Sequence, residues 1–456
     1  MAVRSLSAAR AAAVERPIVS AGAAALALAI PLVFLHVDYQ PGLTVSAGST
    51  DAHLYLSDFA ILATGLAALA AGLRDGFAPL RPGWPIWLAG GAFAALVLAA
   101  SLYPVALDET YRWRTHLVTA GKFAEYGVLA LAVPLLVRSR RDLQVVLVAL
   151  VAWSAAATVV GVAQFFGANL AGPWPAGRRQ PSFLGHHDFA ALSGAAVGIA
   201  ATTVALRTRV VPPAVAALAG VAGALGIVVS GSTAAAIGLA AALAAAALVS
   251  AALRRLSARR LAVLAVIGGV VAAGVVTLRG NDYDQFLRFL GVRKEEASTR
   301  ENVQTYVHHT LLSYIGLRIF LDHPVLGAGW QASSKEPSVY LRHLPAAHRK
   351  FPDAAPLSFP SRTRQYGVQN GYVQALADLG AVGLVLFVGT FAVGLALALR
   401  AGLRGPPEGL LAAFWLLVAM GIWSAVGLVA GIPLDGLTWL GLGLAASAAG
   451  ALRVPG

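Results

Sequence analysis

"VQNGYVQALADLGAVGLVLF" (residues 368–387) passes from a polar pair, Gln369 and Asn370, across nine residues to Gly380 and Gly383, and then into an apolar run that reaches Leu399. About 20 consecutive apolar residues are what a helix needs to cross the hydrocarbon of a bilayer. Working outward from this run, the same reading recurs at 18–36, 54–73, 84–103, 116–137, 143–166, 184–206, 210–230, 233–253, 261–279, 409–430 and 434–452, which makes twelve expected spans with 371–399. The chain of 456 residues is 58% hydrophobic and only 12% charged, with a mean hydropathy of +0.72, which excludes a soluble globule. The expected fold is an all-α integral membrane protein: helices 1–9 over residues 1–279, a large outer segment over 280–370, and helices 10–12 over 371–456.

Cysteine is absent, so disulfides, thiolate metal sites and thiol catalysis are excluded. The first span follows Arg4, Arg10 and Arg16 and lacks a small-x-small cleavage signal before His36, Val37 and Asp38, which reads as an uncleaved anchor. The net charge of +13 names no partner until the basic residues are located. The N-terminal arginines, Arg74 and Arg81, "RSRR" (138–141), "RTR" (207–209), "RRLSARR" (254–260), Arg400 with Arg404, and Arg453 fall on alternate connections. Lys and Arg in short loops stay on the cytoplasmic side, so both termini are expected inside. No nucleic-acid module is visible.

Some cations go against that rule. Arg112 and Arg114 in "DETYRWRTH", Arg178 and Arg179 in "GPWPAGRRQPSF", and Arg300 among many basic residues of 280–367 fall on the outer side. Long loops translocate regardless of charge, which accounts for the long segment better than for the two short loops. Guanidinium groups at an outer interface suit phosphate oxygens through paired hydrogen bonds, or contact lipid headgroups. Within the outer segment, 281–298 reads as a short interfacial amphipathic helix, 307–330 as a helix stopped by Pro324 and the Gly327, Gly329 turn, and 331–367 as an irregular basic lid.

Three patterns together resemble the O-antigen ligase and O-antigen polymerase superfamily of polyprenyl-diphosphate-dependent glycosyltransferases. They are "RRQPSFLGHHDFAAL" (178–192), "LRIFLDHPVLGAGW" (317–330), and the opening stretch, in which Asn370, Gly380 and Gly383 keep the family spacing. The resemblance covers most of residues 120–430. It implies a glycan on a polyprenyl (undecaprenyl) diphosphate carrier, transferred at the outer face of the bacterial inner membrane to an acceptor hydroxyl of a glycan or glycolipid. It also implies diphosphate-binding arginines, for which Arg112, Arg114, Arg178, Arg179 and Arg300 are the candidates, and a histidine as base, with no metal or cofactor and with membrane lipids as surroundings. Developing charge on the leaving diphosphate is stabilised by preorganised Arg donors, and the attacking hydroxyl calls for a base of near-neutral pKa.

Two positions depart from the pattern. Gln369 stands where the family has its histidine, and Thr233 in "VSGSTAAAIGL" (229–239) stands where an Arg follows the serine. An amide is no base at neutral pH, so either another group serves or Gln369 and Asn370 position the acceptor. His187 beside His186 and Asp188, His308 with His309, and His343 and His348 in the lid are the outer-side groups that titrate near neutrality. Each has the plainer reading of a solvated or interfacial histidine, and the "HHD" run falls short of a metal set. Lys122 and Glu125, three apart in the fourth span, are expected to neutralise each other, either as a structural pair or lining the carrier cavity. Asp58 and Asp378 are intramembrane carboxylates, Asp378 being a candidate partner for a lid arginine. A non-catalytic carrier-binding protein and a transporter remain alternatives, though a transporter should show two comparable halves, which are absent from this sequence.

Overall fold

The computed structural model describes residues 19–47, 50–106, 111–172, 176, 179–206, 210–252, 257–289, 292, 300–424 and 435–453. Apolar runs in a bilayer satisfy their backbone only as helices, and the described chain forms them in series. They are α1 (Ala21–Val33), α2 (Leu56–Asp75), α3 (Trp84–Ala100), α4 (Trp113–Glu125), α5 (Gly127–Leu136), α6 (Arg140–Phe165), α7 (His186–Leu206), α8 (Pro213–Ser230), α9 (Thr233–Ala252) and α10 (Ala258–Phe289). The lid follows with α11 (Arg300–Asp322), α12 (Ala332–Lys335), α13 (Pro337–Tyr340) and α14 (Leu344–Lys350), and the chain ends with α15 (Gly371–Arg404), α16 (Glu408–Ser424) and α17 (Gly436–Ala449).

Among the described residues, eight helical segments are long and apolar enough to cross a membrane: α2, Ala78–Ala100, Trp113–Leu136 (α4 with α5), α6, His187–Ala205, α8, Ala235–Ala252 and α15. Shorter apolar helices lie at Ala21–Val33, Glu408–Gly421 and Gly436–Ala449, and α10 contains the expected stretch 261–279. The protein is thus a helical membrane protein with one departure from the all-α expectation. Residues Gly42–Ala47 (β1) and Thr50–Tyr55 (β2) form an antiparallel hairpin, with Thr44 opposite His53 and Ser46 opposite Asp51. Its alternating polar and apolar residues carried the strand signal, masked by the stronger apolar runs on either side.

Contacts sort the connections into two sets at opposite ends of the helices. At one end the Ser20 amide donates to Asp142 Oδ1 (2.8 Å), Arg138 Nη1 lies 3.0 Å from Asp75, and Arg140 Nε lies 3.5 Å from Glu408. At the other end the His36 amide donates to the Phe183 carbonyl (3.1 Å), the Tyr39 hydroxyl to Ala171 (2.6 Å), and the Gln180 amide to Val229 (3.2 Å). α7 is the most enclosed span, packed against α6, α8, α9 and α16. Small residues let these backbones approach, as where α9 and α16 cross and a Cβ on Gly421 would overlap Gly238.

α15 is broken in its second turn-and-a-half, where Gly380 adopts φ 68° and ψ −166°. The turn after α11 docks into that break. The Ala328 and Gly329 amides donate to the carbonyls of Ala377 (2.9 Å) and Asp378 (3.0 Å), while the Ala381 and Val382 amides donate to Pro324 (2.9 Å) and Val325 (3.3 Å). Gly327 (φ 72°) and Gly380 face each other so closely that a Cβ on either would overlap the opposite backbone. The Trp330 amide continues the contact to the Ala100 carbonyl at the end of α3 (3.0 Å), and its ring, 2% exposed, packs 4.9 Å from Phe123. Two of the motifs read separately in the sequence are therefore the two halves of one joint.

The lid is more ordered than expected. Leu311, Leu312, Ile315 and Ile319 of α11 pack with Tyr340, Ala347 and Phe359 in an apolar core separate from that of the bundle, joined by Ala377 of α15. The segment expected as an independent interfacial helix begins instead as the uninterrupted end of α10, through Phe289, and continues outside the described residues. Replacing Gly327 with Ala is expected to cost about 2 kcal/mol or more, because a side chain meets both a positive φ and the Asp378 backbone. Thermal unfolding of the reconstituted protein measures this, and an unchanged midpoint in Gly327→Ala would show that the joint does not hold the lid.

Candidate functional site

The lid and the hairpin end of the bundle bring two groups of polar residues together, one at each end of α11. The first gathers around the starts of α11 and α15. Residues 180–182 are pinned there: the Ser182 amide donates to Gln164 Oε1 (2.9 Å) and its hydroxyl donates to the Ala157 carbonyl (2.7 Å). Arg179, at the edge of this pinned loop, is close enough to His309 for its charge to be felt. Burial, then neighbouring His308 and Arg179, push His309 down to about 4, so it is neutral at pH 7 and a weak base. His308 is also lowered by burial, partly offset by its bond to the Ser358 carbonyl (2.7 Å), and its ring meets Tyr366 edge-on at 4.7 Å.

Two helical turns beyond His309, on the same face of α11, Gly316 packs against Val368 and Val373. That face therefore runs along the segment containing Gln369. Asn370 is the N-cap of α15, its Oδ1 accepting the amides of Tyr372 (3.0 Å) and Val373 (3.1 Å). Capping accounts for Asn370, whereas Gln369 Oε1, His309 Nδ1 and Arg364 Nε are buried without a protein hydrogen-bond partner among the described residues. Buried polar atoms of this kind are the groups that await a ligand's hydroxyls and oxyanions.

The second group lies where the 101–112 connection meets the lid. A cleft of about 300 Å³ is lined by Tyr103, Pro104, Tyr111, His323, Gly327, Ala328, Ser338, Val339 and Arg342. The Tyr103 hydroxyl donates to the Gly327 carbonyl, and burial, then the Asp378 charge, push its phenol up to about 12. Tyr111 is raised by the same causes and stacks on His116 at 4.6 Å. Behind this wall Glu336, 5% exposed, accepts from His116 Nε2 (2.8 Å) and Arg112 Nε (3.2 Å), and the Arg112 guanidinium also reaches the Lys335 carbonyl. Burial raises the Glu336 carboxyl, but the His116 bond and the Arg112 charge outweigh it and hold it below its ordinary range.

These contacts revise several expectations. Arg112 is committed to Glu336 and the lid backbone, and Arg114 lies over the Trp113 ring (5.4 Å). Arg178, and the side chains of Arg300, His186 and Thr233, lie outside the described residues. His187 occupies the first turn of α7, His343 is buried 3.5 Å from Asp322, and exposed His348 stacks on Phe359 at 3.8 Å. Lys122 pairs with Asp58 across helices (2.5 Å), not with Glu125, because Asp58 sits in the first turn of α2 facing it. Among the described residues Asp378 takes no arginine: its carboxylate accepts the Ser333 amide (2.9 Å) and Gln374 Nε2 (3.1 Å), tying lid to span. Glu336, His116, His323 and Arg342 were missed because each acquires its role from a partner distant in sequence.

Residues 218–388 match the O-antigen ligase family model. The match begins within α8 and ends within α15, so it contains the lid, the Gly327 turn and the Gly380 break, and it supports the O-antigen ligase superfamily for this chain. Comparison with curated proteins gave no match.

Replacing Glu336 with Gln strips the charge from a buried contact and is expected to lower stability by about 2 kcal/mol at neutral pH. A carboxyl held lower in the folded state contributes fully above its unfolded value of about 4.5 and loses that contribution as pH falls through the lower folded value. The difference in unfolding midpoint between wild type and Glu336→Gln should therefore shrink as pH drops below about 4.5. A difference independent of pH would contradict the ion pair.

Proposed function

We propose that this chain is a glycosyltransferase that moves a glycan from a polyprenyl diphosphate carrier to an acceptor hydroxyl at the outer face of the bacterial inner membrane. The observation that supports the reading is that the family match over residues 218–388 contains the joint of turn and broken helix, with His309, Arg364 and Gln369 beside it. The basic connections support both termini inside, with the lid outside. Arg178 and Arg179 are assigned to the diphosphate, since Arg112 is engaged elsewhere. The acceptor oxygen attacks the anomeric carbon, the carbon–oxygen bond to the diphosphate breaks with its electron pair leaving on phosphate, and the acceptor proton passes to a base.

Arginine donors stabilise the charge developing on the leaving diphosphate, and no divalent ion is needed for that role. Gln369 presents a buried carbonyl oxygen toward which an acceptor hydroxyl can donate, which positions it without accepting the proton outright. His187 and His348 are the candidates for the base, whereas His343 lies beside Asp322 at the other end of α11. The acceptor is a glycolipid hydroxyl in the ligase reading and the end of a growing chain in the polymerase reading. A carrier-binding protein without turnover is the second reading, supported by Gln369 in the position of the family histidine.

Turnover of a synthetic polyprenyl-diphosphate donor by wild type in EDTA tests this directly. Arg179→Ala is expected to lower turnover by about 100-fold, and loss of activity on replacing His187 or His348 identifies the base. Unchanged turnover in both Arg178→Ala and Arg179→Ala would overturn the diphosphate assignment. Donor binding without turnover in wild type, with activity gained in Gln369→His, decides for the second reading.

A further inference from the structure

The cleft at the far end of α11 takes no part in the bond-breaking step. His309 and His323 are separated by about 21 Å along the helix, at 1.5 Å per residue, so the cleft cannot share the carrier diphosphate with Arg179. Its walls have a definite chemistry of their own. Arg342 Nη2 donates to His323 Nε2 (2.8 Å), and Arg342 Nε stands 3.7 Å from Asp322, which also faces His343 Nε2 at 3.5 Å. Burial lowers both His323 and His343. The Arg342 charge is matched across this corner by Asp322, and the Arg318 guanidinium lies near enough to act on His343.

A diphosphate or phosphate gains little from a guanidinium already beside a carboxylate. A sugar ring gains from it: a fork of N–H donors, an imidazole, the Ser338 hydroxyl, and two tyrosine rings against which C–H faces can lie. The rings are fixed in advance, Tyr103 by its bond to the Gly327 carbonyl and Tyr111 by its stack on His116. The volume of about 300 Å³ is at the small end for a ligand pocket, suited to one ring and not to a chain.

We infer that this cleft is a saccharide subsite holding one uncharged glycosyl unit of the acceptor, several units away from the hydroxyl that reacts. The identity of the saccharide as acceptor rests on the glycosyl-transfer reading above, while the cleft's preference for an uncharged ring rests only on its walls. It makes the lid a reader of acceptor structure, distinct from the end of α11 that faces the carrier.

Saturation-transfer NMR on the full chain in nanodiscs tests it, with methyl glycosides of glucose, galactose and mannose as probes, each beside its 6-phosphate. At least one uncharged glycoside should bind, with signal falling about fivefold or more in Arg342→Gln and in Ser338→Trp, which fills the cleft from an exposed position and leaves the residues of the joint unchanged. Arg179→Ala should retain the signal. Absence of uncharged-glycoside binding in wild type, tighter binding of the 6-phosphates, or binding that survives Ser338→Trp overturns the subsite. Saccharide binding intact in a wild type that fails to turn over donor would instead overturn the transfer reading and leave the cleft standing as a sugar site.

Discussion

A helix interrupted near a membrane surface exposes carbonyls and amides that hydrocarbon cannot satisfy, and the remainder of this architecture depends on how that demand is met. α15 breaks at Gly380, and the exposed groups are taken up by the backbone of residues 324–329 in a short ladder. The ladder requires glycine on both sides, because the backbones approach too closely for a Cβ. Asp378 and Tyr103 reinforce it from the flanks, one binding the Ser333 amide and the other the Gly327 carbonyl. Lid, third span and tenth expected span are thereby fixed relative to one another, and both polar groups inherit their geometry from that joint.

Among the described residues, eight of the expected spans are helices long and apolar enough to cross a membrane, and they were legible because hydropathy over 20 residues is a strong and local signal. The sorting of connections into two ends followed from the basic residues, and contacts such as Arg138 with Asp75 and Tyr39 with Ala171 reproduce the sorting. Partners were not legible. Lys122 and Glu125 share a helix face, yet Lys122 finds Asp58 because interhelical distance, not spacing in sequence, decides which charge is nearest. Glu336 gave no local sign at all, being defined by His116 and Arg112 more than two hundred residues earlier in the chain. Asn370 also caps α15, a use of the side chain that any helix start invites.

The arginines illustrate how burial sorts charges by role. Arg112 lies against a carboxylate that is itself enclosed, and such a cation has little left for a ligand. Arg179 precedes a stretch anchored through Gln180 and Ser182 to Val229 and Gln164, and its charge is felt by His309 at the start of the lid helix.

The separate apolar core of the lid bears on the order in which the protein is made. Leu311, Ile315, Ile319, Tyr340 and Phe359 all precede α15 in the chain, so the lid can condense around them before α15 is made. Its docking edge is completed only when Ala377, Asp378 and Gly380 emerge, and in the interval the amides of Ala328 and Gly329 stand in water, where they are already hydrated. Final assembly is then an exchange of water for carbonyls at a preformed surface, with the last long span threading against a lid that is waiting for it.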